Sequence, residues 1–232
     1  MEELKDEQLP QASIAAFFEE RVKDCELVVS LDEMMAISKD IASEVVDYRH
    51  SDYQAAIAGV ILSNAAAVTV AVAPTGSGKT WIQGLVAKYY CRLGKKVVVV
   101  EPSEMLAQQA ANKLALVDFD ITITSMRRLF EEGPWHEVVI LDEYDAILER
   151  EPYLAQQQGI KGIWQLRDKK VFAFTATSSP SHERLLAHCL SRPHVLKFKS
   201  EFELKHGANP VGEADIVVCM DEAHLEQRLQ VD

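Results

Sequence analysis

Apolar residues recur at helical spacing over Leu9 to Arg21 and again over Leu31 to Val46, with the short Cys25–Ser30 stretch between them. From Ser51 onward the pattern changes to alternating helices and strands. A helix over Tyr53–Leu62 leads into an apolar run, Val68–Val72, which reads as a strand. A helical pattern opens at Lys79 and runs to Leu93, where Gly94 and the two lysines behind it close it. Next come a strand at Val97–Val100, a helix from Ser103 to Leu116, a strand at Ile121–Thr124, a short helix Met126–Glu131 and a strand at Val138–Leu141. Helical Tyr153–Gln157, the strand Val171–Phe174, a helix near His182–Leu190 and the strand Val195–Phe198 follow.

Such alternation implies an α/β domain, with mostly parallel strands and crossover helices on both faces of the sheet. Val97–Val100 is apolar throughout, as a strand covered on both sides must be. After Ser200 the pattern weakens to a connector over Glu201–Gly212, a strand-like run Ala214–Met220 and a last helical segment. The expected organisation is therefore an N-terminal helical extension (1–50), one α/β domain (51–200) and a connector or the start of a further domain (201–232). The N-terminal helices either pack on the α/β core or serve as an interaction segment.

Composition adds mainly exclusions. With 48% hydrophobic and 26% charged residues, the chain of 232 residues has enough apolar side chains for a real core. A net charge of −12 discourages an autonomous duplex-binding face, so any nucleic-acid contact must be local. The four cysteines are far apart and no histidines cluster, which argues against a zinc site or a disulfide framework and for a reducing compartment, cytoplasmic or nuclear. The acidic, polar start does not resemble a targeting peptide. The uncharged run Ala55 to Ala73 is nearly long enough to span a membrane, but it is interrupted by Ser63 and Asn64; a buried helix followed by a central strand explains it better.

Chemistry enters at Ala73-Pro74-Thr75-Gly76-Ser77-Gly78-Lys79-Thr80, placed between a strand and a helix. In that setting it is a phosphate-binding loop. Glycines let backbone N–H groups approach phosphate oxygens, the helix N-terminus favours negative charge, Lys79 reaches the terminal phosphates, and Thr80 places its hydroxyl on magnesium. Ala73 stands where the general pattern has glycine. Ligands of open parallel sheets gather at the carboxyl ends of strands, and there Asp142-Glu143-Tyr144-Asp145 follows the fourth strand and Thr175-Ala176-Thr177 the fifth. A carboxylate such as Asp142 facing the loop suits magnesium–nucleotide binding, and Glu143 is a natural base for a hydrolytic water. Asp221-Glu222-Ala223-His224 also follows an apolar run, but it falls after the Thr-Ala-Thr triplet, and chain order favours Asp142.

With these pieces in order, the chain resembles the first RecA-like domain of superfamily-two helicases, the group that holds the DEAD-box proteins. Ala73–Thr80 is similar to motif I, including its alanine, and Tyr53-Gln54 to the element whose glutamine reads adenine. Pro102-Ser103 with Leu106 and Gln109 resembles motif Ia, Thr124-Ser125 a further strand-contact motif, Asp142–Asp145 motif II in a DExD form, and Thr175–Thr177 motif III. The resemblance implies an ATP site with magnesium, in which Tyr53, Gln54, Thr75, Gly76, Ser77, Gly78, Lys79 and Thr80 hold the nucleotide. It implies that Lys79, Asp142 and Glu143 are catalytic, with Thr80 and Asp142 on the metal. Asp145, Thr175 and Thr177 would couple hydrolysis to domain movement. Pro102, Ser103, Gln109 and Thr124 would touch single-stranded or duplex nucleic acid, RNA slightly favoured over DNA.

The departures also carry expectations. Glu104 and Met105 replace the usual Arg-Glu of motif Ia, which weakens a phosphate contact. Nothing after Ser200 resembles the second RecA-like domain, whose arginines complete the ATP site in this group, so that domain is expected in cis or in trans. Alone, the chain should hydrolyse ATP slowly. Two other readings stand beside this one: a catalytically silent helicase-like scaffold, and a P-loop small-molecule kinase. The kinase lacks an arginine-rich lid between Asp145 and Val171.

Overall fold

A computed structural model describes residues 11–23, 29–44, 51–114, 121–149 and 162–199. The expected helix Tyr153–Gln157, the strand Ala214–Met220 and the tetrad Asp221–His224 lie outside the described residues, as do Cys25 and Cys219. Residues Met1–Ser200 form one compact unit and Glu201–Asp232 a second.

The first unit contains helices α1 (Gln11–Val22), α2 (Leu31–Glu44) and α3 (Asp52–Leu62), followed by strand β1 (Val68–Val72). Alternation then continues through α4 (Lys79–Arg92), β2 (Val97–Glu101), α5 (Glu104–Leu114), β3 (Ile121–Ser125), α6 (Met126–Glu132) and β4 (Val138–Leu141). A 3-10 turn (Gly162–Leu166), β5 (Lys170–Thr175), α7 (Pro180–Cys189) and β6 (His194–Lys197) complete it. Residues 144–149 are also helical.

The six strands form one sheet in the order β3-β2-β4-β5-β1-β6, and every pairing is parallel. Strand β1 is separated from β2 by the later strands β4 and β5, so the chain crosses over them early and fills the gap on its return. All carboxyl ends therefore lie on one edge, with the loop after β1 close to those after β4 and β5.

Alternation along each strand sends side chains to two cores. On one face Val68, Val70, Val98, Val100, Val139, Leu141, Val171 and Ala173 pack with Met126, Phe130, Tyr144, Ile147 and Leu186 from α6, residues 144–149 and α7. Phe172 points to the other face, where its ring lies 5.7 Å from that of Tyr90 on α4. Coverage on both faces is the reason β2 is a run of four valines, all fully buried.

The helix ends follow local chemistry. Ser51 and Gln54 form a reciprocal capping box at the start of α3. Ser125 caps α6 through the Arg128 N–H, and Ser179 caps α7 with Pro180 at its first turn. That cap starts α7 two positions ahead of the His182 expected from the apolar pattern. At the end of α4, Gly94 N–H donates to Cys91 O and Lys95 N–H to Tyr90 O, a paired closure that stops the helix before β2. The stretch Ala55 to Ala73 divides into the buried helix α3 and the central strand β1.

Helices α1 and α2 pack on α3, and α2 also reaches α4. Phe18 and Met34 lie over Gly59, where an added Cβ would come within 2.7 Å of the Phe18 ring. Of the two readings open for the N-terminal helices, packing on the core is the one the structure shows. Among the described residues, no helix is long and apolar enough to cross a membrane.

Candidate nucleotide site

Strand β1 ends at Val72, and Ala73 N–H donates to Thr175 O at 3.0 Å, tying the start of the loop to the end of β5. Ala73 is fully buried and is not among the residues with positive φ, so alanine fits where the general loop pattern has glycine. The left-handed positions are Gly76 (φ 81°) and Gly78 (φ 77°). Gly78 starts α4 without a side-chain cap, which leaves its positive end uncapped by a side chain. Ser77 Oγ is buried and has no partner among the described residues. An unsatisfied hydroxyl beside an uncapped helix start fits an anion with acceptor oxygens.

Lys79 is the first residue of α4 and mostly buried. Its Nζ lies 3.4 Å from Glu143 Oε1. The loop after β1 and the acidic pair after β4 thus face each other, as the sequence leads one to expect. Glu143 has φ 42°, the positive value among described non-glycine residues, and it makes the sharp turn from β4 into the following helix. A side chain held in that region costs about 1–3 kcal/mol, a strain concentrated where the carboxylate is aimed.

Asp142 N–H donates to Val100 O (2.9 Å), which continues the ladder one residue past β4. Its Oδ1 accepts from Gln83 Nε2 at 2.7 Å and from Glu143 N–H at 3.1 Å. Burial, more than any other influence, holds the Asp142 carboxyl above its usual range; the Gln83 bond pulls the other way, and Glu143 pushes it further up. Beside it, Glu101 ends β2 and is buried. Burial first, then the charges of Asp142 and Glu143, push its pKa up to about 7, while Lys113 opposes the shift.

Gln54 meets the loop from the other side. Its Nε2 donates to Ser77 O (3.1 Å), and its Oε1 accepts from Ser51 N–H (3.2 Å). One amide N–H remains for a ligand. Tyr53, expected beside it as a nucleotide contact, is a core residue instead. It is 2% exposed, its ring is 6.2 Å from that of Phe17, and its hydroxyl donates to Lys199 O. A ring so enclosed has no face to offer a base.

The other expected residues sit further along the edge. Thr175 is buried and holds its own turn, donating to Thr177 O at 2.6 Å and accepting from Thr177 N–H at 3.1 Å. Thr177 Oγ1 approaches Asp145 Oδ2 at 3.5 Å, the outer limit of a hydrogen bond. Tyr144 adds a firmer link between the same segments, with its hydroxyl 3.2 Å from Ser178 Oγ. Pro102 and Ser103 follow β2, across β4 and β5 from the phosphate loop and roughly 14 Å from β1 at the usual strand spacing; Thr124 on β3 is one strand further, roughly 19 Å, and Gln109 lies on α5. There Ser125 Oγ donates to Glu104 Oε1 at 2.6 Å, while Arg127 and Arg128 pair with Glu131 and Glu132.

Among the described residues, no group of three or more His, Cys, Asp or Glu is gathered to hold a metal by itself. Thr80 lies in the first turn of α4, and Asp142 directly follows β4. Sequence reasoning missed Gln83 and gave Glu101, which it placed at this edge after the second strand, no role. Their signals were a polar residue four positions after Lys79 on one helical face, and a charged residue ending a run of valines.

An AAA-domain family model matches residues 49–150, the span that contains the phosphate loop and the acidic pair. No curated protein matches the sequence significantly. Among solved structures, the yeast DEAD-box splicing factor Prp28 superposes with a TM-score of 0.58 at 16% identity, covering 86% of this chain and 58% of that one. Prp28 from Chaetomium thermophilum, described as an RNA helicase bound to ADP, gives 0.55 at 18% identity, covering 86% and 59%. Dbp5 from S. cerevisiae, bound to RNA and ADP BeF3, gives 0.54 at 15% identity, covering 73% and 52%. The fold is RecA-like, the fold it shares with those structures. The RecA-like chain spans between about half and three-fifths of the length of these structures.

Proposed function

We propose that the chain binds ATP with magnesium and hydrolyses it slowly, as the nucleotide-binding half of a superfamily-two helicase or nucleic-acid translocase. The observation that carries this reading is Lys79 Nζ lying 3.4 Å from Glu143 across an uncapped helix start. The β- and γ-phosphates would enter there, accepting from Lys79 and from N–H groups of the loop and first turn, with Thr75, Gly76, Ser77 and Gly78 forming the loop around them. Magnesium, held by Thr80 and Asp142, would neutralise charge on the phosphate oxygens. Once a phosphate draws Lys79 away, the Glu143 carboxylate is free to orient a water and accept its proton. Gln54, with its remaining N–H, would mark the adenine side. Asp145, Thr175 and Thr177 would pass the change to the nucleic-acid edge.

Helicase activity needs more than this chain. A second RecA-like domain, in cis or in trans, would supply the arginines, which elsewhere contribute about 10³–10⁵ in rate. Nucleic acid, RNA by analogy with the RNA-bound Dbp5 structure, would meet Pro102, Ser103, Gln109 and Thr124. With Glu104 on Ser125 and both arginines paired, that contact should be weak.

Fluorescent-ATP titration of the wild type and of Lys79→Ala tests the reading. Losing a charge-assisted contact worth about 1.5–3 kcal/mol should weaken binding roughly 10- to 100-fold. No affinity in either protein would favour a silent scaffold.

A further inference from the structure

Gln83 is polar, fully buried and set in the apolar middle of α4 between Ile82 and Gly84-Leu85, where packing alone would select a hydrophobic side chain. It is four residues after Lys79, so both project from one stripe of the helix. Its Nε2 donates to Asp142 Oδ1 at 2.7 Å, short for an amide donor and characteristic of a charged acceptor. The Glu143 N–H reaches the same oxygen at 3.1 Å. Two donors on Oδ1 fix the rotation of the carboxylate and leave Oδ2 for a ligand. The other end of the amide, Gln83 Oε1, is buried without a partner among the described residues. Reversing the amide would not relieve it, because its oxygen would then face the Asp142 carboxylate. An acceptor held so close to a metal-binding carboxylate suits a hydrogen on a bound water, and magnesium keeps several waters.

Resting on the ATP–magnesium reading above, we infer that Gln83 is a positioning residue. It aims the Asp142 carboxylate and so sets how strongly magnesium tightens nucleotide binding. Lys79 and Gln83 would then make α4 a two-point rule, one point measuring phosphate and the other fixing the carboxylate that meets its metal. Nothing in the role requires Gln83 to touch the nucleotide.

Gln83→Met keeps length and volume and removes the donor. The test is equilibrium binding of fluorescent ADP in saturating magnesium and in EDTA, with the magnesium half-saturation point read separately. Outer-shell partners typically alter metal affinity by about 10- to 100-fold. Gln83→Met should therefore raise the magnesium half-saturation point at least about 10-fold and leave the EDTA affinity within twofold. In an Asp142→Asn background the same substitution should change nothing further. Gln83→Leu, judged folded by its melting curve, is the second variant and should behave alike. Three results would overturn the inference: magnesium dependence equal to wild type, an equal loss with and without magnesium, or an additive loss in the Asp142→Asn background. Failure of both variants to fold would assign Gln83 a structural role instead. If the wild type binds no ADP, the ATP reading falls and this inference with it. If the wild type shows magnesium-tightened binding that Gln83→Met retains, only the positioning role falls.

Discussion

Gly76 and Gly78 have nearly the same left-handed backbone but different neighbours, so paired substitutions can isolate what Gln54 does. An added Cβ at Gly76 meets nothing within 4 Å, whereas at Gly78 it would lie 2.1 Å from Gln54 Nε2. Alanine held at such a φ costs about 1–2 kcal/mol at either site. Lower chain entropy in the unfolded state offsets part of this, equally for both, and cancels in their difference. At Gly78 the Gln54 amide must also move. It then gives up its bonds to Ser77 O and to Ser51 N–H, each worth about 1 kcal/mol. Because the clash is with the end of a flexible side chain, rotation limits the extra cost to those bonds. Gly78→Ala should therefore destabilise the chain by about 1–2 kcal/mol more than Gly76→Ala. Urea unfolding of the two variants, in wild-type and Gln54→Ala backgrounds, measures the difference, which should vanish in the second background. Equal costs in the wild-type background, or a gap that persists without Gln54, would refute the latch between Gln54 and the loop.

Glu101 and Glu104 give two further tests. Folding raises the Glu101 pKa from 4.5 to about 7, so the folded state favours its protonated form. Its contribution is fully present below pH 4.5 and is lost as pH rises through about 7. Relative to Glu101→Gln, the nucleotide-free wild type should lose roughly 3 kcal/mol of stability across that interval, and parallel stability–pH curves would rule this out. Glu104→Arg removes the carboxylate from Ser125 and adds a cation at the proposed nucleic-acid edge. Single-stranded RNA should then bind more tightly, with the log–log salt slope steeper by about 0.7, and an unchanged slope would exclude a phosphate contact there.

Much of the fold is legible in one dimension because each rule acts locally. Strands covered on both faces must be continuous apolar runs, and β2 is such a run. A loop that turns into a helix with left-handed residues must carry glycine there, and Gly76 and Gly78 do. What stays hidden depends on neighbours distant in the chain. Gln83 looks like one more helix residue until β4 brings Asp142 to its amide, 59 positions away. Glu101 reads as the first loop residue after β2. In the structure it is the last strand residue, buried in register beside Ser125. Tyr53 errs the other way: next to Gln54 in sequence, it points into the core because helical neighbours project about 100° apart. The helical residues 144–149 and the 3-10 turn at Gly162–Leu166 are too short to leave a periodic signature.

The Lys79–Glu143 pair would let the proposed site rest and then act. On the proposed reading both partners would serve hydrolysis, yet here they neutralise each other at 3.4 Å. Glu143 is 40% exposed, so the pair is worth no more than about 0–1 kcal/mol. A phosphate oxygen offers Lys79 a charge-assisted bond of about 1.5–3 kcal/mol. A phosphate would therefore outcompete Glu143, and nucleotide entry would free the carboxylate as it binds the lysine. Aiming the freed carboxylate costs little more, because its strained backbone already holds it at the turn after β4, and the Glu143 N–H is tied to Asp142. On this account the base would be released by the phosphate it helps to cleave.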